Sequence, residues 1–224
     1  MRRIAILGAS GHGKVVAEIA ELNGFDEVVF FDDAWTGDEG EAESGEGGKG
    51  QRADFPWKVV GNTESLLGIH GKYEACVVAI GHNKTRLKKQ TLLKQTGAPI
   101  PQLIHPRATV SKYAELGEGS VVMANAIINP FAKIGEACIV NTGATIDHDC
   151  ILGDAVHVSP GANLGGGVEV GFQSWVGIGA CVKQYLSIGS NVMVGAGAAV
   201  IKDVPHDQTV VGVPARPQSE RSCK

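Results

Sequence analysis

Chemistry is most concentrated in the run Ile146-Asp147-His148-Asp149-Cys150. An imidazole has its intrinsic pKa nearest neutrality, so His148 can accept a proton from an attacking amine or hydroxyl and release it later. Asp149 beside it can fix the tautomer of the ring and stabilise the imidazolium. His157 follows nine residues on, in Val156-His157-Val158. Spacing alone fits a solvated surface histidine as well as a general base, so the elements that carry these residues must decide between them.

Those elements announce themselves by period. Ile104, Val110, Leu116, Val122, Ile128, Ile134, Val140, Ile146, Leu152, Val158, Leu164, Val170, Val176, Val182, Ile188, Val194 and Val200 recur every sixth residue without a break. Four residues after each stands a small or modest apolar side chain, such as Ala126, Ala132, Cys138, Ala144 and Cys150. Neither a helix at 3.6 residues per turn nor a strand at two generates two interlocked registers of six. The pattern is that of a parallel β-helix, in which each hexad is a short strand plus a corner and stacked coils bury one continuous core. His148 and Asp149 fall between the inward positions, which makes them available at the surface or at a subunit boundary.

A second concentration of functional residues lies at the amino end. Arg3 to Leu7 reads as an apolar strand, followed by Gly8-Ala9-Ser10-Gly11-His12-Gly13-Lys14 and an amphipathic helix from about Val15 to Leu22. Val28 to Phe31 then reads as a strand ending in Asp32-Asp33. Such a β-loop-α-β unit places a phosphate on helix N–H groups and an acid near a ribose, although a purely structural turn has the same spacing. About a hundred residues precede the repeat, half of a dinucleotide fold, which suits a nucleotide-sugar head group better than NAD. Trp35 to Ala53 is acidic, glycine-rich and aperiodic, and reads as a mobile loop. Further on, Gly81 closes the strand Ala75 to Ile80, and Lys84 to Thr96 reads as a basic helix with Lys88, Lys89 and Lys94 on its solvated face. After Arg216 the chain reads as frayed.

The hexads Leu116-Gly117, Ile134-Gly135, Leu152-Gly153, Val170-Gly171 and Ile188-Gly189 resemble those of hexapeptide-repeat acyltransferases. In one order, the chain also carries Gly-Ala-Ser-Gly-His-Gly, Asp32-Asp33, Asn141-Thr142-Gly143-Ala144, the His148 run, His157-Val158-Ser159 and Gly212-Val213-Pro214-Ala215. Together these resemble the nucleotide-sugar N-acetyltransferases of bacillosamine, perosamine and viosamine pathways, with sialic acid O-acetyltransferases as the related alternative.

The resemblance implies a Rossmann-like α/β half-fold over 1–100, a left-handed β-helix over 101–203 and a tail over 204–224. It implies acetyl-CoA as co-substrate, bound between adjacent prisms of a homotrimer, and a UDP-linked 4-amino-4,6-dideoxy sugar as the favoured acceptor. His148 would be the general base, oriented by Asp149. Ser10, Gly11, His12, Asp32, Asp33 and Gly81 would hold the nucleotide-sugar, with Asn141 beside the transferring centre. His157, Ile178 and the backbone around Ala196 would contact acetyl-CoA, and the Gly166 N–H is the candidate oxyanion donor. Ala196 stands where some relatives have glycine, a change that a backbone contact survives if φ is negative.

Composition narrows the rest. A net charge of −4 offers no electrostatic case for nucleic acid or an anionic membrane. No apolar run approaches the length of a membrane span, and Met1 to Gly8 lacks a small-residue cleavage site, so the chain reads as cytoplasmic. Five cysteines without C-x-x-C spacing read as core thiols in a reducing compartment rather than as zinc ligands.

Overall fold

The computed structural model describes residues 1–35 and 55–218. The segment read as a mobile loop therefore lies outside the described residues, Trp35 apart. The chain divides between Pro101 and Gln102 into two compact units.

The first unit is a four-stranded parallel sheet of β1 (Arg3–Leu7), β2 (Glu27–Phe31), β3 (Lys58–Gly61) and β4 (Ala75–Val78), ordered β3-β2-β1-β4. In β1, β2 and β4, near-continuous Val/Ile/Phe/Ala runs make strands buried on both faces, as a parallel sheet covered by helices requires, whereas the edge strand β3 buries Gly61 and leaves Lys58 and Val60 exposed. Ala5, Leu7, Val29, Phe31, Cys76 and Val78 pack with Leu66 and Leu93 from helices α2 (Thr63–Ile69) and α3 (Asn83–Gln95). Helix α1 (Gly11–Leu22) buries Val16, Ala17, Ile19 and Ala20.

Helix α1 begins at Gly11, four residues earlier than the spacing suggests, because Ser10 takes the extended N-cap conformation and half of the glycine loop becomes the first helical turn. Two of the loop's glycines are needed for close approach. A Cβ on Gly13 would lie 2.2 Å from the Gly8 carbonyl oxygen, and one on Gly8 would lie 2.7 Å from that of Ala79.

The second unit is a parallel β-helix of two-residue strands on three faces. The first face stacks Leu103–Ile104, Val121–Val122, Ile139–Val140, His157–Val158, Trp175–Val176 and Met193–Val194, and is extended by Thr209–Val211 and Arg216–Pro217. The second holds Thr109–Val110, Ile127–Ile128, Thr145–Ile146, Asn163–Leu164, Cys181–Val182 and Ala199–Val200. The third holds Glu115–Leu116, Lys133–Ile134, Ile151–Leu152, Glu169–Val170 and Ser187–Ile188. Partners on successive coils, such as Thr145 and Asn163, are 18 residues apart.

The sixfold aliphatic series forms the axis together with the small corner residues. From Val122 onward it is buried, while Ile104, Val110 and Leu116 on the first coil, which has a neighbouring coil on one side only, are partly exposed. Each buried aliphatic contributes roughly 1.5–3 kcal/mol. Ile146 is fully buried two residues before His148, so Ile146→Ala would cost about 2–5 kcal/mol and loosen the corner that carries the histidine.

On the edge between the third and first faces, Gly117, Gly135, Gly153, Gly171 and Gly189 form a seam. A Cβ at any of them would come within 2.5–2.7 Å of atoms of the next coil, the nearest being backbone at all but Gly135, where it is Asp154 Oδ1. The chain expected to fray after Arg216 instead stays paired through Gln218, whose N–H donates to the Thr209 carbonyl at 2.8 Å, because the turn at 212–215 folds it back on Thr209–Val211.

Candidate active site

His148 and Asp149 sit on the corner between the second and third faces, between the strands Thr145–Ile146 and Ile151–Leu152. Their side chains are 49% and 61% exposed, in keeping with positions between the inward registers. The corner places Asp149 at φ 58°, a conformation that a short polar residue tolerates. Its Oδ2 lies 2.8 Å from His148 Nδ1. That bond, with the charges of Asp147 and Asp149, raises the imidazole pKa above its ordinary value against a smaller desolvation effect. The bond also leaves Nε2 as the working nitrogen.

The ring lies over the next coil. A Cβ on Gly166 would be 2.5 Å from His148 Nε2 and 2.6 Å from Cε1, so only glycine leaves room for the imidazole there. The Gly167 N–H donates to the His148 carbonyl at 2.8 Å. Among the described residues, no acceptor is bonded to the Gly166 N–H.

The backbone under His148 is held as well. Asp147 Oδ1 accepts from the His148 N–H at 2.8 Å and from Asn129 Nδ2 at 2.8 Å. The Asn129 bond is the main reason that the Asp147 carboxyl lies below its usual pKa, followed by the bond from His148. Neither Asn129 nor Asp147 stands out in the sequence, since each occupies an ordinary corner position.

The other candidates on the β-helix lie elsewhere on its circumference. His157 belongs to the first face, where Asn141 Nδ2 meets its Nε2 at 3.1 Å and Trp175 lies 4.3 Å away, centroid to centroid. Trp175 Nε1 in turn donates to Ser159 Oγ at 2.6 Å. Asn141, Ile178 and Ala196 all stand on the edge between the first and second faces, and Ile178 is 61% exposed. Ala196 is not among the residues with positive φ, which is the condition for its backbone to substitute for glycine. One copy of the chain thus carries these candidate residues in two groups, on two different edges of its prism.

In the first unit, Ser10, Gly11 and His12 form the opening of α1. Ser10 caps it without a side-chain hydrogen bond, and both Ser10 and Gly11 are exposed, so first-turn N–H groups stay open to a ligand. Burial pushes His12 down to about 4, helped by the nearby Arg86 charge, so it is a neutral imidazole at physiological pH. Its Nε2 is buried with no hydrogen-bond partner among the described residues.

The two acids are engaged with the protein itself. Asp32 accepts from the N–H groups of Ala9 and Ala34, both at 2.8 Å, closing the glycine loop against the end of β2. Asp33 accepts from the Thr63 N–H at 2.9 Å and pairs with Lys89. Burial would raise the Asp33 carboxyl, but the bonds from Lys89 and Thr63 and the Lys89 charge outweigh it and hold it at about 2.

Lys89 is therefore not one of a row of solvated lysines, since it links α3 to the end of β2. Arg86 is 1% exposed, and donates to the carbonyls of Ile80 and Gly81 at 3.0 and 2.9 Å and to Asn83 Oδ1 at 2.9 Å. The loop at Gly81 thus owes its shape to a buried arginine that reads, in sequence, as part of a polar helix. No helix of the described residues is long and apolar enough to cross a membrane.

Comparison with known proteins adds independent information. Residues 3–93 match the PglD N-terminal domain family. The chain is 42% identical to the acetyltransferase domain of PglB from Neisseria gonorrhoeae, solved with acetyl coenzyme A, over 97% of this chain and 99% of that one, with a TM-score of 0.86. It is 36% identical to a point mutant of perosamine N-acetyltransferase from Caulobacter crescentus, solved with CoA and GDP-perosamine, over 98% of each chain, with a TM-score of 0.88. A UDP-N-acetylbacillosamine N-acetyltransferase of Bacillus subtilis is 39% identical over 125 residues. That match takes in 55% of this chain and 52% of the relative, about half the length of that protein.

Proposed function

The chain belongs to the hexapeptide-repeat sugar N-acetyltransferases, and from that premise we propose that it transfers acetyl from acetyl-CoA to the 4-amine of a nucleotide-linked 4-amino-4,6-dideoxy sugar. The observation that carries this reading is the His148–Asp149 pair, bonded through Nδ1, with Nε2 directed over a glycine floor. A UDP-linked bacillosamine precursor is the favoured acceptor, supported by the Bacillus subtilis relative. In this reading the acceptor is a substrate of bacterial glycan or glycoprotein synthesis, met in the cytoplasm.

In this reading the neutral amine attacks the thioester carbonyl, and His148 Nε2 takes the proton the amine loses. Asp149 stabilises the imidazolium that results. The Gly166 N–H, which has no acceptor among the described residues, would bond the developing oxyanion, and collapse of the tetrahedral intermediate expels CoA as a thiolate that His148 reprotonates. Transfer is direct, with no acetyl-enzyme. Ser10, Gly11, His12, Asp32, Asp33 and Gly81 would hold the nucleotide-sugar, Asp32 and Asp33 chiefly by shaping the loop. His157, Ile178 and Ala196 would line the acetyl-CoA site, with Asn141 next to the acyl group.

The two-edge arrangement supports a homotrimer. If the half-site of His148 and the half-site of Asn141 and Ile178 serve one reaction, they must come from two copies, and a closed ring of three gives every copy both neighbours.

A thiol-release assay with acetyl-CoA against UDP-, GDP- and dTDP-linked 4-amino-4,6-dideoxy sugars and free sialic acid tests this. Turnover of one amino sugar-nucleotide is expected. Turnover of sialic acid alone would transfer the protein to the O-acetyltransferases, and silence with every amino sugar would overturn the substrate assignment.

A further inference from the structure

We propose that Asn129 and Asp147 form a positioning pair for the general base, a role that rests on His148 being that base. A catalytic group must be held to within about 0.5 Å of its productive position. Packing cannot supply this for His148, because its side chain is half exposed on a corner. The ring has one lateral hydrogen bond, to Asp149, itself a corner residue at positive φ and 61% exposed. Orientation has to come from the backbone beneath, and there Asp147 Oδ1 accepts the His148 N–H.

A carboxylate on a corner is free to rotate away unless something holds it, and Asn129 does so. It donates to the same Oδ1 from the preceding coil, and its own N–H is fixed to the Ile146 carbonyl at 2.9 Å. The anchor of the pair is thus the strand that leads into His148. This is not a periodic ladder that merely staples coils together. The equivalent corner positions along this edge are Ser111, Asn129, Asp147, Gly165 and Lys183, so an amide facing a carboxylate occurs only at the coil that bears the histidine.

The variants Asn129→Ala, Asp147→Ala and Asp147→Asn separate positioning from folding. Asparagine at 147 keeps an Oδ1 that accepts both bonds, whereas alanine accepts neither. The expected result is a kcat about tenfold lower in Asn129→Ala and in Asp147→Ala, with KM for both substrates within twofold. The double alanine variant should be no worse than Asp147→Ala, because the two residues act as one unit. Asp147→Asn should recover most of the loss.

A second readout needs no substrate. The amide order parameters of His148 and Asp149, near the rigid value of about 0.85 in the parent, should fall toward about 0.6 in both alanine variants and return in Asp147→Asn. Unchanged order parameters, or an Asp147→Asn variant no better than Asp147→Ala, would overturn the proposal. Should the order parameters behave as expected while no amino sugar-nucleotide is acetylated by the parent, the pair stands and the substrate assignment falls.

Discussion

Replacing Gly166 by alanine puts a methyl group where the structure has none to spare. The new Cβ would lie 2.5 Å from His148 Nε2, 2.6 Å from Cε1 and 3.2 Å from Cδ2. Ordinary carbon contacts lie at about 3.5–4.0 Å, so the imidazole must retreat by roughly 1 Å. A displacement of that size in a catalytic group costs about 10²-fold in rate. The methyl also covers the nitrogen that must reach the attacking amine, which adds to the loss.

Stability should barely respond, because what moves is the end of a half-exposed side chain and Gly166 is not at positive φ. A change of about 1 kcal/mol corresponds to about 2–4 °C in a chain of this size. The assays are thiol release for kcat and a thermal melt followed by circular dichroism. Gly166→Ala with kcat within threefold of the parent would refute the placement of His148 as base over a glycine floor. So would a melt lowered by more than about 10 °C, which would mean that the lost activity reports unfolding.

Gly153→Ala is the counterpart. Its Cβ would meet the Phe172 backbone N at 2.7 Å, and backbone cannot step aside, so about 1–3 kcal/mol of stability should be lost in a denaturant titration with activity per folded molecule retained. His148→Ala should lower kcat by at least about 10²-fold, with nearly full activity excluding it as the base. In Asp149→Asn the group that raises the His148 pKa is removed. Since the base works neutral, the acid limb of the kcat profile should lie above pH 6.5 in the parent and move to lower pH in the variant, with a lower plateau; an unmoved limb excludes Asp149 as the partner. His12, with a folded pKa pushed down to about 4, disfavours the native state as pH falls. The unfolded chain takes up the proton from about pH 6.5 and the native chain only near 4. The native state should therefore lose up to about 3 kcal/mol over that window. Urea midpoints at pH 7 and 4.5 should differ less in His12→Asn, and an equal difference would contradict the burial of the ring.

Much of this was legible before any coordinates. The period of six requires a side chain every sixth residue to enter a common axis, and the same count sends His148 and Asp149 outward. What periodicity cannot convey is angular position. His148 and Asn141 are seven residues apart in sequence but stand on different edges, and only the assignment of each hexad to a face shows how far apart they lie around the prism. Partners distant in sequence were equally hidden. Lys89 and Arg86 read as polar helix residues because their acceptors, Asp33 for one and the Ile80 and Gly81 carbonyls for the other, appear only once α3 is docked on the sheet. Asn129 and Asp147 meet across one coil, a relation visible only when the 18-residue repeat is known. Helix α1 starts earlier than the spacing suggests because glycine, a poor helix former in isolation, costs little in a first turn where close packing against Gly8 demands it.

The glycine seam has a bearing on how such a protein can change. At those five positions a side chain larger than hydrogen meets the next coil at 2.5–2.7 Å and wedges the stack apart. Mutational exploration is therefore shut out of one position in each turn of that edge by sterics, while neighbouring positions on the same turns carry residues as different as Glu136, Asp154 and Phe172. The two remaining edges accept side chains as different as Phe131, Asp149 and Tyr185, or Ile178 and Ala196, at equivalent turns. The proposed half-sites lie on those two edges, away from the seam.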